Sequence, residues 1–173
     1  MSKASKALKA EIVQDKGKGS ISIHNHGKVE KLAKQLSALL ADSYVLYLKT
    51  QNFHWNVKGA MFNSLHLMFE QQYTDLALAI DETAERIRAL GHYAPGSFRQ
   101  YSKLANIQDA PENEIPAMEM VRTLAEDQKI IIATLRKVIE LASDIGDEAS
   151  QDLGVQRLRI HEKNAWMLNS TLE

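Results

Sequence analysis

The chain is expected to fold as an all-α four-helix bundle, with a short extra helix in the connection between its second and third long helices. Three observations carry this expectation. Apolar residues recur at helical spacing in four long blocks, no segment alternates as a half-buried strand would, and the one long connection lies between the second and third blocks.

The first block runs from Val29 through Leu32, Leu36, Leu39, Leu40, Tyr47 and Phe53, and Asn56 and Gly59 mark a turn after it. The second block places Phe62, Leu65, Phe69, Leu76, Ile80 and Ile87 on one face, and Gly91, Pro95 and Gly96 end it. Residues 96–112 form the connection, with a short helix expected around Arg99–Leu104. After Pro111 a third helix carries Met118, Val121, Leu124, Ile131, Leu135, Val138 and Ile139, and Asp144, Gly146 and Asp147 break it. A fourth starts near Glu148 and keeps Leu158, His161, Ala165, Leu168 and Leu172 in register. A long crossover of this kind lets the second and third helices run parallel.

At 173 residues the chain is long enough for one compact domain with a sizeable core. It has no cysteine, which excludes a disulfide framework, a thiolate metal site and a cysteine nucleophile and fits a reducing cytoplasm. The opening stretch lacks the apolar core of a signal peptide, and no segment approaches the roughly 20 apolar residues of a membrane span. A cytoplasmic protein without a membrane partner is therefore expected.

The net charge of −1 hides an asymmetry. Residues 1–28 carry six lysines against Glu11 and Asp15, and residues 29–173 carry 15 basic against 20 acidic side chains. A flexible basic arm, 1–28, is thus expected ahead of an acidic bundle domain, 29–173. Lys3, Lys6, Lys9, Lys16 and Lys18 suit DNA phosphates, with salt-dependent and non-specific affinity. The arm has no arginine or interleaved aromatic to read bases. The plain alternative is a solubilising, frayed terminus. His24 and His26 are either a small extra metal site or tail residues.

His54, His66, Asp81 and Glu85 are the candidate metal ligands. Two imidazoles and two carboxylates suit a transition metal such as iron better than calcium, which prefers oxygen alone. Residues 60–90 read as one helix, so His66 lies roughly 22 Å from Asp81 at ~1.5 Å rise per residue. One ion cannot bridge that gap. Either these residues serve separate purposes, or an antiparallel second copy brings its Asp81 and Glu85 to the histidines of the first. With His66 set to zero, Glu70, Asp81 and Glu85 fall at roughly 40°, 60° and 100°, a strip beside the apolar stripe. A strip there would face a neighbouring subunit, and a twofold contact would repeat the site.

Each element also has a plainer reading. A lone histidine beside an apolar face is usually packed or solvated. Asp81 and Glu85 could be a surface pair balanced by Arg86 and Arg88. Phe53, Trp55, Phe62 and Phe69 read as core. No Glu-x-x-His occurs in the chain, and that motif supplies the usual site inside ferritin-like bundles.

The run His54-Trp55-Asn56-Val57-Lys58-Gly59, then Phe62, Leu65-His66, Phe69-Glu70, Tyr73, Asp81 and Ala84-Glu85-Arg86-Ile87 resembles the signature of the Dps family, the DNA-binding proteins from starved cells. The resemblance covers residues 30–172, including His161-Glu162-Lys163 and Ala165-Trp166-Met167-Leu168. It implies a ferritin-like subunit in a hollow twelve-subunit shell. Iron(II) would be oxidised at twofold interfaces, with hydrogen peroxide the favoured oxidant, and stored inside as iron(III) mineral. It assigns His54 and His66 as ligands from one subunit and Asp81 and Glu85 as ligands from its partner. Glu70 becomes an auxiliary ligand and Trp55 the tryptophan beside the centre.

Asp144, Asp147, Glu148 and Asp152 cluster at the corner between the third and fourth helices. Helix capping explains part of this, since Asp147 can cap the fourth helix and acids in a first turn suit its dipole. In the resembled family, acids in this region line threefold pores, which makes Asp147, Glu148 and Asp152 the pore candidates; threefold repetition would focus cations there. The expected function is an iron-oxidising and iron-storing cage, with non-specific double-stranded DNA binding and nucleoid association as a second activity. One alternative is a DNA-compacting protein with a weak or vestigial iron site. The other is a helical oligomer that uses His54 and Asp81 only as interface hydrogen-bond partners.

Overall fold

The computed structural model describes residues 26–173. The described residues form five helices: α1 (His26–Asn56), α2 (Phe62–Ala89), α3 (Phe98–Leu104), α4 (Ala117–Ser143) and α5 (Glu148–Leu172). The four long ones make the bundle, and α3 lies in the connection between α2 and α4, as the spacing predicts.

Local chemistry sets the corners. After α1, Val57 N–H donates to Phe53 O at 2.9 Å, and Gly59 takes φ +100°, a conformation that a side chain resists. Gly91 (φ +84°) ends α2 and Gly146 (φ +68°) turns the chain out of α4. Asp147 caps α5, accepting from Ser150 N–H.

Two boundaries differ from expectation. Helix α1 is already formed at His26, the first described residue and three residues before the apolar periodicity starts, with His26, Gly27 and Lys28 exposed. Helix α4 begins after Pro116 rather than Pro111. Pro116 sits at the helix entrance with ψ 148°, and a proline also biases the residue before it away from helical backbone.

The core takes its residues from matching stripes. Leu32, Leu36, Leu39, Leu46 and Phe53 of α1 meet Leu65, Phe69, Leu76 and Ile87 of α2, with Val121, Leu124, Ile131, Leu135 and Val138 of α4 and Leu168 of α5. Trp55 and Phe62, expected in the core, are 62% and 45% exposed. Phe53, Val57 and Leu65 beside them are buried, so the core reaches this end of the bundle and the two rings lie on the outer face of their helices.

Polar pairs fix the helix directions. Asp42 accepts from Thr134 Oγ1 at 2.9 Å, and Lys49 donates to Asp127 at 2.7 Å. Numbers rise along α1 as they fall along α4, so those two helices are antiparallel. Arg86 bonds Asp147 and Ser150, while Arg157 bonds Asp75, so α2 and α5 are antiparallel as well. A five-residue turn (57–61) reverses the chain between α1 and α2. Helices α2 and α4 therefore run parallel, as a long crossover permits.

Candidate metal centre

The α1–α2 turn brings its two histidines face to face. Their rings stack with centroids 3.7 Å apart and planes 18° from parallel. His54 Nδ1 bonds the His66 carbonyl oxygen, and His66 Nδ1 bonds the His54 carbonyl oxygen, both at 2.8 Å. A carbonyl oxygen only accepts, so each Nδ1 carries the hydrogen. In the neutral rings Nε2 is left with its lone pair. Binding one imidazole nitrogen to a carbonyl so that the other can ligate is the usual arrangement behind a metal-bound histidine.

Neighbouring rings hold this pair. Phe62 stacks on His66 at 5.0 Å and Tyr73 meets the His54 ring edge to face at 5.2 Å. His54 is only 8% exposed. Trp55 makes none of these ring contacts. Tyr73 is the neighbour to which the sequence pattern assigns no role. It is seven residues after His66, two helical turns on, and that spacing is the signal that could have found it.

Glu70, Asp81 and Glu85 lie on α2 beside the buried stripe of Leu65, Phe69, Leu76, Ile80 and Ile87. Glu70, Asp81 and Glu85 are all exposed. Among the described residues neither Asp81 nor Glu85 has an ion-pair partner. The arginines that could balance them are used elsewhere. Arg86 serves Asp147 and Ser150, and Arg88 donates to the His92 carbonyl. Among the described residues no three His, Asp or Glu side chains of one chain converge to hold an ion. The structure therefore brings His54 to His66, and leaves Asp81 and Glu85 further along the same helix.

At the α4–α5 corner the acids divide. Asp147 is 4% exposed, accepts from Arg86 at 2.6 Å and caps α5. Burial works to raise its pKa, but the bonds from Arg86 and Ser150 outweigh that and hold it below the usual range. Its carboxylate is committed inside the subunit. Glu148 and Asp152 are exposed. Lys3, Lys6, Lys9, Lys16, Lys18 and His24 lie outside the described residues; His26, the first described residue, is helical and exposed.

The family model for the ferritin-like domain matches residues 33–173. DNA protection during starvation protein 2 of Bacillus anthracis is 39% identical over 148 residues, covering 86% of this chain and 98% of that one. The chain belongs to the ferritin-like family, among its Dps proteins. The crystal structure of the DPS protein from Vibrio cholerae O1, described as a member of a superfamily of ferritin-like diiron-carboxylate proteins, superposes with a TM-score of 0.80 at 39% identity, over 84% of this chain and 91% of that one. Antigen TpF1 from Treponema pallidum superposes with a TM-score of 0.84 at 29% identity, over 89% and 99%.

Ferritin-like bundles commonly hold their irons between the helices, on Glu-x-x-His pairs. This Dps chain fills that space differently. Lys49 and Asp127 form a buried ion pair, and His161, 1% exposed, bonds the Gln128 side-chain oxygen at 2.8 Å. Burial, together with the nearby Arg157 charge, pushes the His161 pKa down from 6.5 to about 3. A neutral imidazole and an internal ammonium occupy the bundle interior. Among the described residues no helix is long and apolar enough to cross a membrane.

Proposed function

We propose that this protein oxidises iron(II) and stores it as iron(III) mineral in a closed shell of twelve copies, with one half of each oxidation site supplied by each of two neighbouring subunits. The observation that carries the reading is the reciprocal bonding of His54 and His66, which leaves both Nε2 atoms free while the chain cannot bring its own Asp81 and Glu85 to them. An antiparallel second copy would set its Asp81 and Glu85 against the histidines, and twofold symmetry would make a second equivalent site. Glu70, one turn after His66 and exposed, stands where it could assist.

Iron is the substrate here. The imidazoles bind iron(II) through nitrogen, and the carboxylates favour the higher charge of the product. Four or five protein donors leave room for the oxidant. Two iron(II) ions and two protons reduce one hydrogen peroxide to two waters, giving two iron(III) ions. Pairing the ions lets peroxide take both electrons without releasing hydroxyl radical, so storage and detoxification are one reaction. Glu148 and Asp152 are the exposed acids that would draw cations to a threefold opening.

DNA protection is the second activity, and the 1–28 arm is its proposed carrier. Relatives bear that function in their names, and six lysines suit phosphate contacts. Twelve weak arms on one shell would act together. Such a protein would work in the cytoplasm, at the nucleoid.

Anomalous scattering from iron-soaked crystals tests the site. The expected peak lies between two chains, within bonding distance of Nε2 of His54 and His66 and of the carboxylates of a second copy. Iron bound wholly by one chain, or away from the contact between copies, would overturn the reading.

A further inference from the structure

The aromatic contacts do not stop at the histidine pair. Behind His54 stands Tyr73, 5.2 Å between ring centroids, and behind Tyr73 stands Tyr47, 5.9 Å away with the rings 85° apart. Both phenols are half-buried. The Tyr47 hydroxyl accepts from Gln51 Nε2 at 3.2 Å. Four rings thus touch in series, His66, His54, Tyr73 and Tyr47, joining the end of α1 to the face of α2. The two phenols at the inner end are side chains that can give up one electron.

A chemical gap makes such a donor useful. Hydrogen peroxide takes two electrons, and one iron(II) ion gives one. When a site holds a single iron(II), the second electron must come from another group, or a hydroxyl radical leaves. We propose that Tyr73 supplies that electron through its contact with His54, and that Tyr47 then shares the oxidised state. This rests on the oxidation site being at His54 and His66. The step balances: one iron(II), one hydrogen peroxide, the Tyr73 phenol and one proton give one iron(III), the Tyr73 phenoxyl radical and two waters. The phenolic proton leaves to solvent, which reaches the half-buried ring. A later iron(II) reduces the radical with uptake of one proton, giving iron(III) and restoring the phenol.

Other aromatic groups are less well placed. Trp55 adjoins His54 in sequence but is 62% exposed and meets neither histidine ring. Tyr101 stacks on Tyr44 at 4.4 Å, but no ring contact links that pair to the histidines. The Tyr101 hydroxyl donates to the Pro95 carbonyl at 3.0 Å, and burial with the neighbouring Tyr44 pushes its pKa up to about 12, so it gives up its proton reluctantly.

The test uses the full-length assembled protein. It is loaded without oxygen with one iron(II) per chain, mixed with one equivalent of peroxide and frozen for electron paramagnetic resonance. The expected signal is a tyrosyl radical that narrows when the protein carries ring-deuterated tyrosine. Tyr73→Phe, which keeps the ring packing, should remove most of that signal and raise spin-trapped hydroxyl radical several-fold. Tyr47→Phe should keep the first radical and alter only its decay. An undiminished tyrosyl signal in Tyr73→Phe, or a signal that only ring-deuterated tryptophan narrows, overturns the relay. Wild-type protein that consumes iron(II) with peroxide yet forms no tyrosyl radical removes the relay and leaves the oxidation site standing. Wild-type protein that consumes no iron(II) removes both.

Discussion

His54 and His66 each hold the other's main chain: each ring's Nδ1–H donates to the other residue's carbonyl oxygen at 2.8 Å across the α1–α2 turn. This clasp ties the geometry of the two proposed ligands to helix geometry. Replacing both by Gly is expected to slow iron oxidation more than the about 10–100-fold typical of losing one outer partner of a metal ligand. The proposed shell should keep its size, because the turn still has Gly59 and its backbone bonds. Stopped-flow oxidation and size-exclusion chromatography check the two halves of that statement.

Sharing of the site between copies has its own test. One variant lacks the histidines, His54→Gly with His66→Gly. Another lacks the carboxylates, Asp81→Asn with Glu85→Gln. Each alone should be inactive. In a mixed twofold pair, one site loses everything and the other regains all four ligands. Random co-assembly should therefore restore about a quarter of the wild-type sites, counted by iron-binding titration. A site contained in one chain would regain nothing.

Lys49 and Asp127 give a stability prediction. Burial raises the Asp127 pKa, and the Lys49 bond only partly offsets that. Lys49→Met leaves a buried carboxylate without its partner and should cost about 3–5 kcal/mol. Lys49→Met combined with Asp127→Leu should recover most of that loss. Chemical denaturation of the two variants measures the difference.

Most of the helical framework was legible because the apolar stripes of α1, α2, α4 and α5 keep one period throughout. The candidate ligands were legible as residue types at fixed offsets. What stayed hidden was polar or lay at helix ends. Asp42 and Lys49 share the buried face of α1, and hydropathy alone treats both as solvent-facing. Their seven-residue spacing, matched by Asp127 and Thr134 on α4, was the available sign of a paired polar layer. Asp147 showed its capping role in sequence, but not its bond to Arg86, sixty-one residues earlier in the chain. Trp55 and Phe62 misled because an apolar side chain does not say whether its cover comes from its own chain.

The arm prediction concerns affinity. Removing residues 1–19 should abolish a DNA gel shift at low salt while iron oxidation continues. Neutralising single lysines among Lys3, Lys6, Lys9, Lys16 and Lys18 should reduce the slope of log affinity against log salt by about 0.9 for each phosphate that is no longer neutralised. A shift retained by the truncated protein would assign DNA binding to residues 20–173.

His161 makes folding acid-sensitive in a defined window. Its ring stays neutral in the folded chain until pH nears 3, whereas in the unfolded chain it takes a proton below about 6.5. Its contribution is therefore fully present above 6.5 and falls away as pH drops toward 3. Between about pH 6.5 and 5 the loss should be about 2 kcal/mol per chain. Asp147 acts in a lower window, because its stabilisation is lost only as pH falls below the usual carboxylate value of 3.8. Thermal unfolding of wild type and His161→Gln across this range separates the two. The variant should start less stable and lose less on acidification, and equal slopes would show that His161 is not the group that takes up the proton.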